Sequence, residues 1–219
     1  MTRIYFDHAA STPMDPAVLE AMKPFLLEAF GNPSSTHAHG RHLRNAIEQS
    51  RRTISQELGA HTSEIIFTSG GTEADNLAIR GLVEAYGLNT VISSPIEHHA
   101  VTHCIEKLEE EGQIKAVWLQ PGKDGLIDPE DLRSALKEHP KSMVSLMHAN
   151  NELGCILDLN LIGSICREAG VYFHSDTVQS MTNARFNTEE LPVDLLTASA
   201  HKFNGPKGVG FLYARKGIN

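Results

Sequence analysis

Seven short apolar runs, each of strand length, recur along the chain, and segments of helical length separate most of them. They are EIIFT (64–68), VISS (91–94), KAVWL (115–119), MVSLM (143–147), VYFHSD (171–176), DLLTAS (194–199) and VGFLY (209–213). This alternation admits few folds. It specifies βαβ units, hence an α/β domain with a mostly parallel sheet and helices on both faces. The last pair breaks the rule, because about ten residues between DLLTAS and VGFLY are too few for a helical crossover. VGFLY is therefore expected antiparallel to its neighbour or at the sheet edge.

Local signals place the helices. Asp128-Pro129 sets a capping carboxylate before a proline whose missing N–H costs nothing in a first turn, and Asp131 follows where the helix dipole favours an anion. Asp15-Pro16 repeats the device, with Pro24 expected to kink or end that helix. From about 41 to 58 the apolar residues Leu43, Ala46, Ile47, Ile54 and Leu58 recur before Gly59, a stop signal.

Composition removes several function classes. Lys and Arg number 19 against 27 Asp and Glu, a net charge of −8, which argues against a nucleic-acid binder held by its phosphates. No apolar run reaches the roughly 18 residues of a membrane span, and Asp7 and His8 interrupt the amino terminus before a signal-like stretch forms. Cys104, Cys155 and Cys166 form no C-x-x-C pair and fit a reducing compartment, so a cytoplasmic location is expected.

In open sheets of this kind ligands bind outside the carboxyl ends of the strands. The segments there are SGGTEADN (69–76), IEHHAV (96–101), HANNELG (148–154), SDTVQS (175–180) and SAHKFNGPKG (199–208). Ser69-Gly70-Gly71-Thr72 stands between a strand and a helix, which makes either an anion socket or a plain glycine turn, without Walker or dinucleotide glycine spacing. Ser199-Ala200-His201-Lys202 is formally S-x-x-K, but the companion motifs of penicillin-binding proteins are absent. A lysine there can instead form a Schiff base with a carbonyl, or be a solvated loop residue. His99 and His103 have the i, i+4 spacing of a zinc site, and with His174, Asp176 and His201 near strand ends they keep a metal-dependent hydrolase open as an alternative.

FGNPSSTHAHGR (30–41), IIFTSGGTEADNLAI (65–79), IEHHAV, MHANNELG (147–154), HSDTVQS (174–180) and SAHKFNGPKGVGFLY (199–213) together closely resemble the cysteine desulfurases of the class V aminotransferase superfamily, in order and from about Tyr5 onward. The resemblance implies the large domain of a type I enzyme dependent on pyridoxal 5′-phosphate (PLP). By position, Lys202 resembles the Schiff-base lysine, and Asp176 the carboxylate facing the pyridine nitrogen. His98 resembles the residue that stacks on the ring and moves a proton. Gln179 resembles the donor to the phenolic oxygen and Asn151 its neighbour, while Gly71, Thr72, Ser199 and His201 resemble the phosphate cradle. His8, where many members have Asn, and Thr177, where Ala is common, depart from the pattern.

The family reaction takes L-cysteine to L-alanine and leaves the sulfur on an enzyme cysteine. The resemblance thus implies L-cysteine as substrate, a homodimer in the full-length form, and a sulfur acceptor or scaffold protein as partner, with iron–sulfur clusters or other thio-cofactors as the use of the sulfur and its destination left open. Asn219 follows Lys202 by 17 residues, so the cysteine nucleophile, the carboxylate-binding arginine and the small domain are expected to be absent. Residues 1–14 are read as a segment normally attached to that small domain, and 15–219 as the incomplete PLP-binding domain. Cys104 and Cys166 read as packed small hydrophobes, and Cys155 as the one thiol near the rim. A catalytically incompetent PLP-binding or dimerising chain is the alternative reading.

Overall fold

The computed structural model describes residues 4–218. Met1, Thr2, Arg3 and Asn219, the outer ends of the segments 1–14 and 15–219, lie outside the described residues. All seven apolar runs form strands, displaced by no more than two residues: β1 (Ile65–Thr68), β2 (Thr90–Ser93), β3 (Lys115–Trp118), β4 (Ser142–Ser145), β5 (Tyr172–Asp176), β6 (Leu195–Ser199) and β7 (Gly210–Ala214). The helices are α1 (Pro16–Leu27), α2 (Ala38–Leu58), α3 (Gly71–Tyr86), α4 (His99–Glu110), α5 (Pro129–Glu138) and α6 (Leu159–Ala169). None of them is long and apolar enough to cross a membrane.

The strands form one sheet in the order β1-β7-β6-β5-β4-β2-β3. β2 through β6 run parallel, while β7 lies between β6 and β1 and is antiparallel to both. VGFLY is thus antiparallel as expected but not at the edge, because β1 covers its outer side and Tyr213 is buried between the two neighbours. Two successive antiparallel pairings restore the direction of β1 to that of β6. Six strands therefore deliver their carboxyl ends to the same rim.

Both faces of the sheet are covered, as a period of two in fully buried strands requires. Val91, Met143, Leu195 and Leu212 pack against Ala74, Ala78, Ile79 and Leu82 of α3 and Val101, Ile105 and Leu108 of α4. Their strand neighbours Ile92, Val144, Leu196 and Tyr213 pack on the other face against Leu132 and Leu136 of α5, Ile162 and Ile165 of α6, and Leu58 at the end of α2. Each such aliphatic side chain contributes about 1.5–3 kcal/mol on burial.

The capping signals act as read. Asp128 Oδ1 accepts from the Glu130 N–H at 2.9 Å, and Asp15 Oδ1 from the Ala17 N–H at 2.7 Å. Gly59 ends α2 in the left-handed region at φ 62°. Pro24 does not end α1, which continues to Leu27. Its carbonyl still accepts from the Glu28 N–H at 3.0 Å, so the ring removes a donor without stopping the turn.

Candidate active site

At the shared rim lies a cleft of about 570 Å³. Gly71, Thr72, His98, Asn151, Asp176, Gln179, Ser199, His201 and Lys202 all line it. The nine come from five segments that span 132 positions of sequence, from Gly71 to Lys202, and only the sheet brings them together.

The floor begins at the amino terminus of α3. Gly70 adopts φ 157° and ψ −176°, a region that essentially only glycine occupies. A Cβ on Gly71 would meet Val178 Cγ2 at 2.8 Å, so the missing side chain lets the helix start close against the segment after β5. The first helical backbone bond is the Ala74 N–H to the Gly70 carbonyl at 3.1 Å. The Gly71, Thr72 and Glu73 N–H groups have no helical acceptor and, with the Ser199 and Thr72 hydroxyls, form a donor set suited to a phosphate. Glu73 Oε2 accepts from the Ser69 N–H at 2.6 Å, and hydrogen bonding to Ser69 holds its carboxyl below the usual range.

Lys202 leaves from a 3₁₀ turn, Ala200–Lys202, directly after β6. The serine and lysine of the S-x-x-K string are thus a strand end and a short turn, not one helix face. Lys202 Nζ donates to the Ala9 carbonyl and, at 3.1 Å, to that of Ala10. Burial pushes its amine below the ordinary lysine value, with Asp176 and Asp7 opposing. Asp176 closes β5, is 5% exposed, and accepts from the Val178 N–H through Oδ1 at 2.8 Å. Its carboxyl is pushed up to about 7, by burial first and by the charge of Asp75 second.

His98 caps α4: its Nδ1 accepts from the Ala100 N–H at 3.1 Å. The neutral imidazole therefore carries its proton on Nε2. Asn150 is structural, its Oδ1 accepting from the N–H groups of Glu152 and Leu153 at 2.8 Å, and the loop it builds presents Asn151 to the cleft. His201 Nδ1 lies 3.2 Å from Ser11 Oγ, and burial together with Lys202 and Lys207 holds its imidazole below the usual value.

Three features escaped the sequence reading. The amino-terminal turn reaches the site: Ala10 and Ser11 line the cleft, Gln179 Nε2 donates to the Ala9 carbonyl at 2.9 Å, and the Thr12 N–H and hydroxyl both donate to the His201 carbonyl at 2.9 Å. Lys207 also lines the cleft, beside Lys202. Asp75 reaches the floor, although it is 1% exposed. Its place was readable, since it shares a helical stripe with Ala78, Ile79 and Leu82 and is the one carboxylate there.

Neither alternative chemistry finds its atoms. His99 and His103 stack on each other, with ring centroids 4.7 Å apart, and among the described residues no three His, Cys, Asp or Glu are placed to hold a metal ion. No thiol lines the cleft. Cys104 and Cys166 are buried, the latter pushed up to about 12 by burial, and Cys155 donates to the Gly125 carbonyl at 3.4 Å in a separate small cavity.

Residues 4–219 match the Aminotransferase class-V family. The chain belongs to the class V aminotransferases. Within that family it is 49% identical over 218 residues, 98% of its length, to cysteine desulfurase IscS of Dictyoglomus turgidum, covering 54% of that protein. It is 45% identical to putative cysteine desulfurase IscS 1 of Bacillus subtilis, over all of this chain and 58% of the relative. Among solved structures it resembles SspA in complex with cysteine (TM-score 0.93, 39% identity, 98% of this chain and 62% of that one) and a NifS-like protein (0.94, 37%, 99% and 60%). This class V chain thus spans about half the length of the curated relatives it matches.

Proposed function

We propose that this chain is the cofactor-holding part of a cysteine desulfurase that binds pyridoxal 5′-phosphate in the rim cleft and acts on L-cysteine. One observation carries the reading: a lysine, a buried carboxylate, a histidine with a defined tautomer and a helix amino terminus converge on a single cleft. The donor set fits the group. When bound, pyridoxal 5′-phosphate supplies an electron sink for bond breaking at the α-carbon of an amino acid.

The chain's own residues do the rest. Gly71, Thr72, Ser199 and His201 hold the phosphate. Lys202, whose Nζ is bonded to the carbonyls of Ala9 and Ala10, would hold the aldehyde end, and partial burial favours the neutral amine that this role needs. Asp176 would face the ring nitrogen with its carboxylate and favour a proton there. His98, with Nδ1 taken by the Ala100 N–H, would hold or pass a proton at Nε2 beside the bound ring. Gln179 and Asn151 orient the ring's oxygen edge and the substrate.

Residues 15–219 constitute the large domain and residues 1–14 a segment shared with a small domain. The whole protein converts L-cysteine to L-alanine, passes sulfur to its own cysteine and then to an acceptor protein for iron–sulfur clusters, and works as a cytoplasmic homodimer. Support comes from the names of the relatives and from SspA having been solved with cysteine.

A second reading has its own observation. Neither cysteine nor arginine lines the cleft among the described residues, so this chain alone holds the cofactor without completing desulfuration. Borohydride reduction of the PLP-loaded chain, followed by peptide mapping, tests the first reading. An adduct on Lys202 supports it and one on Lys207 overturns the assignment. Alanine formation from cysteine separates the two readings.

A further inference from the structure

Beneath the cleft floor the protein buries more acid than it compensates. Asp75 on α3, Glu97 in the turn after β2 and Asp176 on β5 are 1, 8 and 5% exposed. Among the described residues no lysine or arginine pairs with any of them. Among the described residues the one group able to carry positive charge within 4.0 Å of any of them is His174, wholly buried and two residues before Asp176 on β5, so both side chains point to the same face of the sheet. Its Nε2 lies 3.5 Å from Asp75 Oδ1. Neither atom has another hydrogen-bond partner, and neither has Glu97 Oε2. The other ring nitrogen, Nδ1, is 2.9 Å from Ser145 Oγ.

An isolated buried carboxylate is costly, and two lining the floor of one cleft cannot both ionise cheaply. Protonation is the available relief. We propose that Asp75 and Asp176, both buried at the floor of one cleft with no cation paired to either, together hold one proton at neutral pH, so that Asp75 is a positioning residue that sets the charge Asp176 presents to the cleft. The proton sits on a carboxyl oxygen of one aspartate or the other, and the imidazole stays neutral between Ser145 and Asp75.

The electrostatics agree with this geometry. Burial pushes both aspartates up to about 7 and Glu97 well above the usual carboxyl range, and it pushes His174 down to about 4, so the imidazole does not supply the missing charge. The remaining groups facing Asp176 are His98 from the start of α4 and Lys202 from the turn after β6, both on the cleft side. A cation entering the cleft then ionises Asp176 fully. That this cation is a protonated pyridine nitrogen rests on the function proposed above, whereas the shared proton does not.

Infrared difference spectroscopy of the cofactor-free chain tests it. The carbonyl stretch of a protonated carboxyl group is expected to persist at neutral pH and to fade as pH rises past about 7. Asp75→Asn is expected to lower the proton affinity of Asp176 by roughly tenfold or more. No protonated-carboxyl band at neutral pH, or an Asp176 titration unmoved by Asp75→Asn, overturns the proposal. If that variant fails to fold, ¹³C-aspartate NMR of the wild-type chain follows both carboxyls: coupled titration supports the pair, and two independent curves or full ionisation at neutral pH sink it. Adding PLP separates the two claims. A band that bleaches on binding fits both, and a band that stays while still responding to Asp75→Asn keeps the shared proton but removes Asp176 from the ring nitrogen.

Discussion

α1 and α3 invert the usual relation between apolar content and burial. α1, PAVLEAMKPFLL, is apolar in most of its 12 positions yet buries none, with Phe25, Leu26 and Leu27 at 43, 63 and 77% exposure. α3, GTEADNLAIRGLVEAY, is more polar but buries seven residues, including a glycine and an aspartate. The difference lies in what each helix faces. α3 lies across β5, β6 and β7, whereas α1 is joined to the body by the hydrogen bonds of residues 9–15 to the 201–204 turn. Apolar sequence shows that a face wants a partner, and only the tertiary structure shows whether the described chain supplies one. Among the described residues α1 meets only part of a partner, Phe25 stacking on His42 of α2 with ring centroids 5.9 Å apart while no residue is buried; in α3 the sheet is the partner, and the helix can therefore carry functional groups at a fixed place.

The largest effect should come from the chemistry that the rigid region positions. Lys202→Ala is expected to abolish covalent PLP attachment completely with little loss of stability, since the side chain is only partly buried and its bonds go to two carbonyls of the exposed amino-terminal turn. Mass spectrometry after borohydride reduction and a urea melt measure the two halves. Retained labelling would detach the cleft from its assigned lysine.

Packing comes next. Leu82→Ala in α3 should cost about 2–5 kcal/mol, while Leu26→Ala in α1 should stay within about 0.5 kcal/mol. Paired urea melts check the contrast, and equal costs would erase the distinction between the helices.

A third test uses pH. Asp75 and Asp176 hold protons in the folded state up to about 7, against a carboxyl range near 4 when unfolded, so each makes stability fall as pH rises across that interval. His174, held down to about 4, acts oppositely between there and about 6.5. With Glu97, which burial raises in the same direction, three carboxyls against one imidazole leave this buried cluster with a net decline from about pH 4 to 7. Thermal melts of Asp75→Asn should show a flatter profile, and an unchanged slope would place the decline elsewhere.

The smallest effect concerns the exposed helix. Leu26→Glu with Leu27→Glu should lower concentration-dependent light scattering while leaving the melting temperature almost unchanged. Unaltered scattering would assign any self-association to another surface.

Much of the site was legible because its chemistry is local. Gly70-Gly71 before a helix, Lys202 just after a strand and Asp176 at a strand end can each be read from a few neighbours. Asp75 was missed although its stripe with Ala78, Ile79 and Leu82 marked it as inward-facing, because the stripe gives the direction of a side chain and not how deep or how near the cleft it lies. The turn at 9–11 was missed because its contacts to Gln179 and Lys202 join positions 170 or more residues apart.

By itself, then, the sequence determined the seven strands, the alternation that makes most of them parallel, and the caps and stops, all of which follow from periods of 2 and 3.6 and from side-chain chemistry within a few residues, while the roles of the reactive groups came from the family resemblance of their motifs. Tertiary structure alone decided that β7 inserts between β1 and β6, which turns the end of β1 to the common rim and completes the cleft. It also decided that Asp75 and His174 meet without a compensating cation and that α1 buries none of its residues. Those outcomes depend on free energies of burial summed over groups far apart in the chain, which no local window contains.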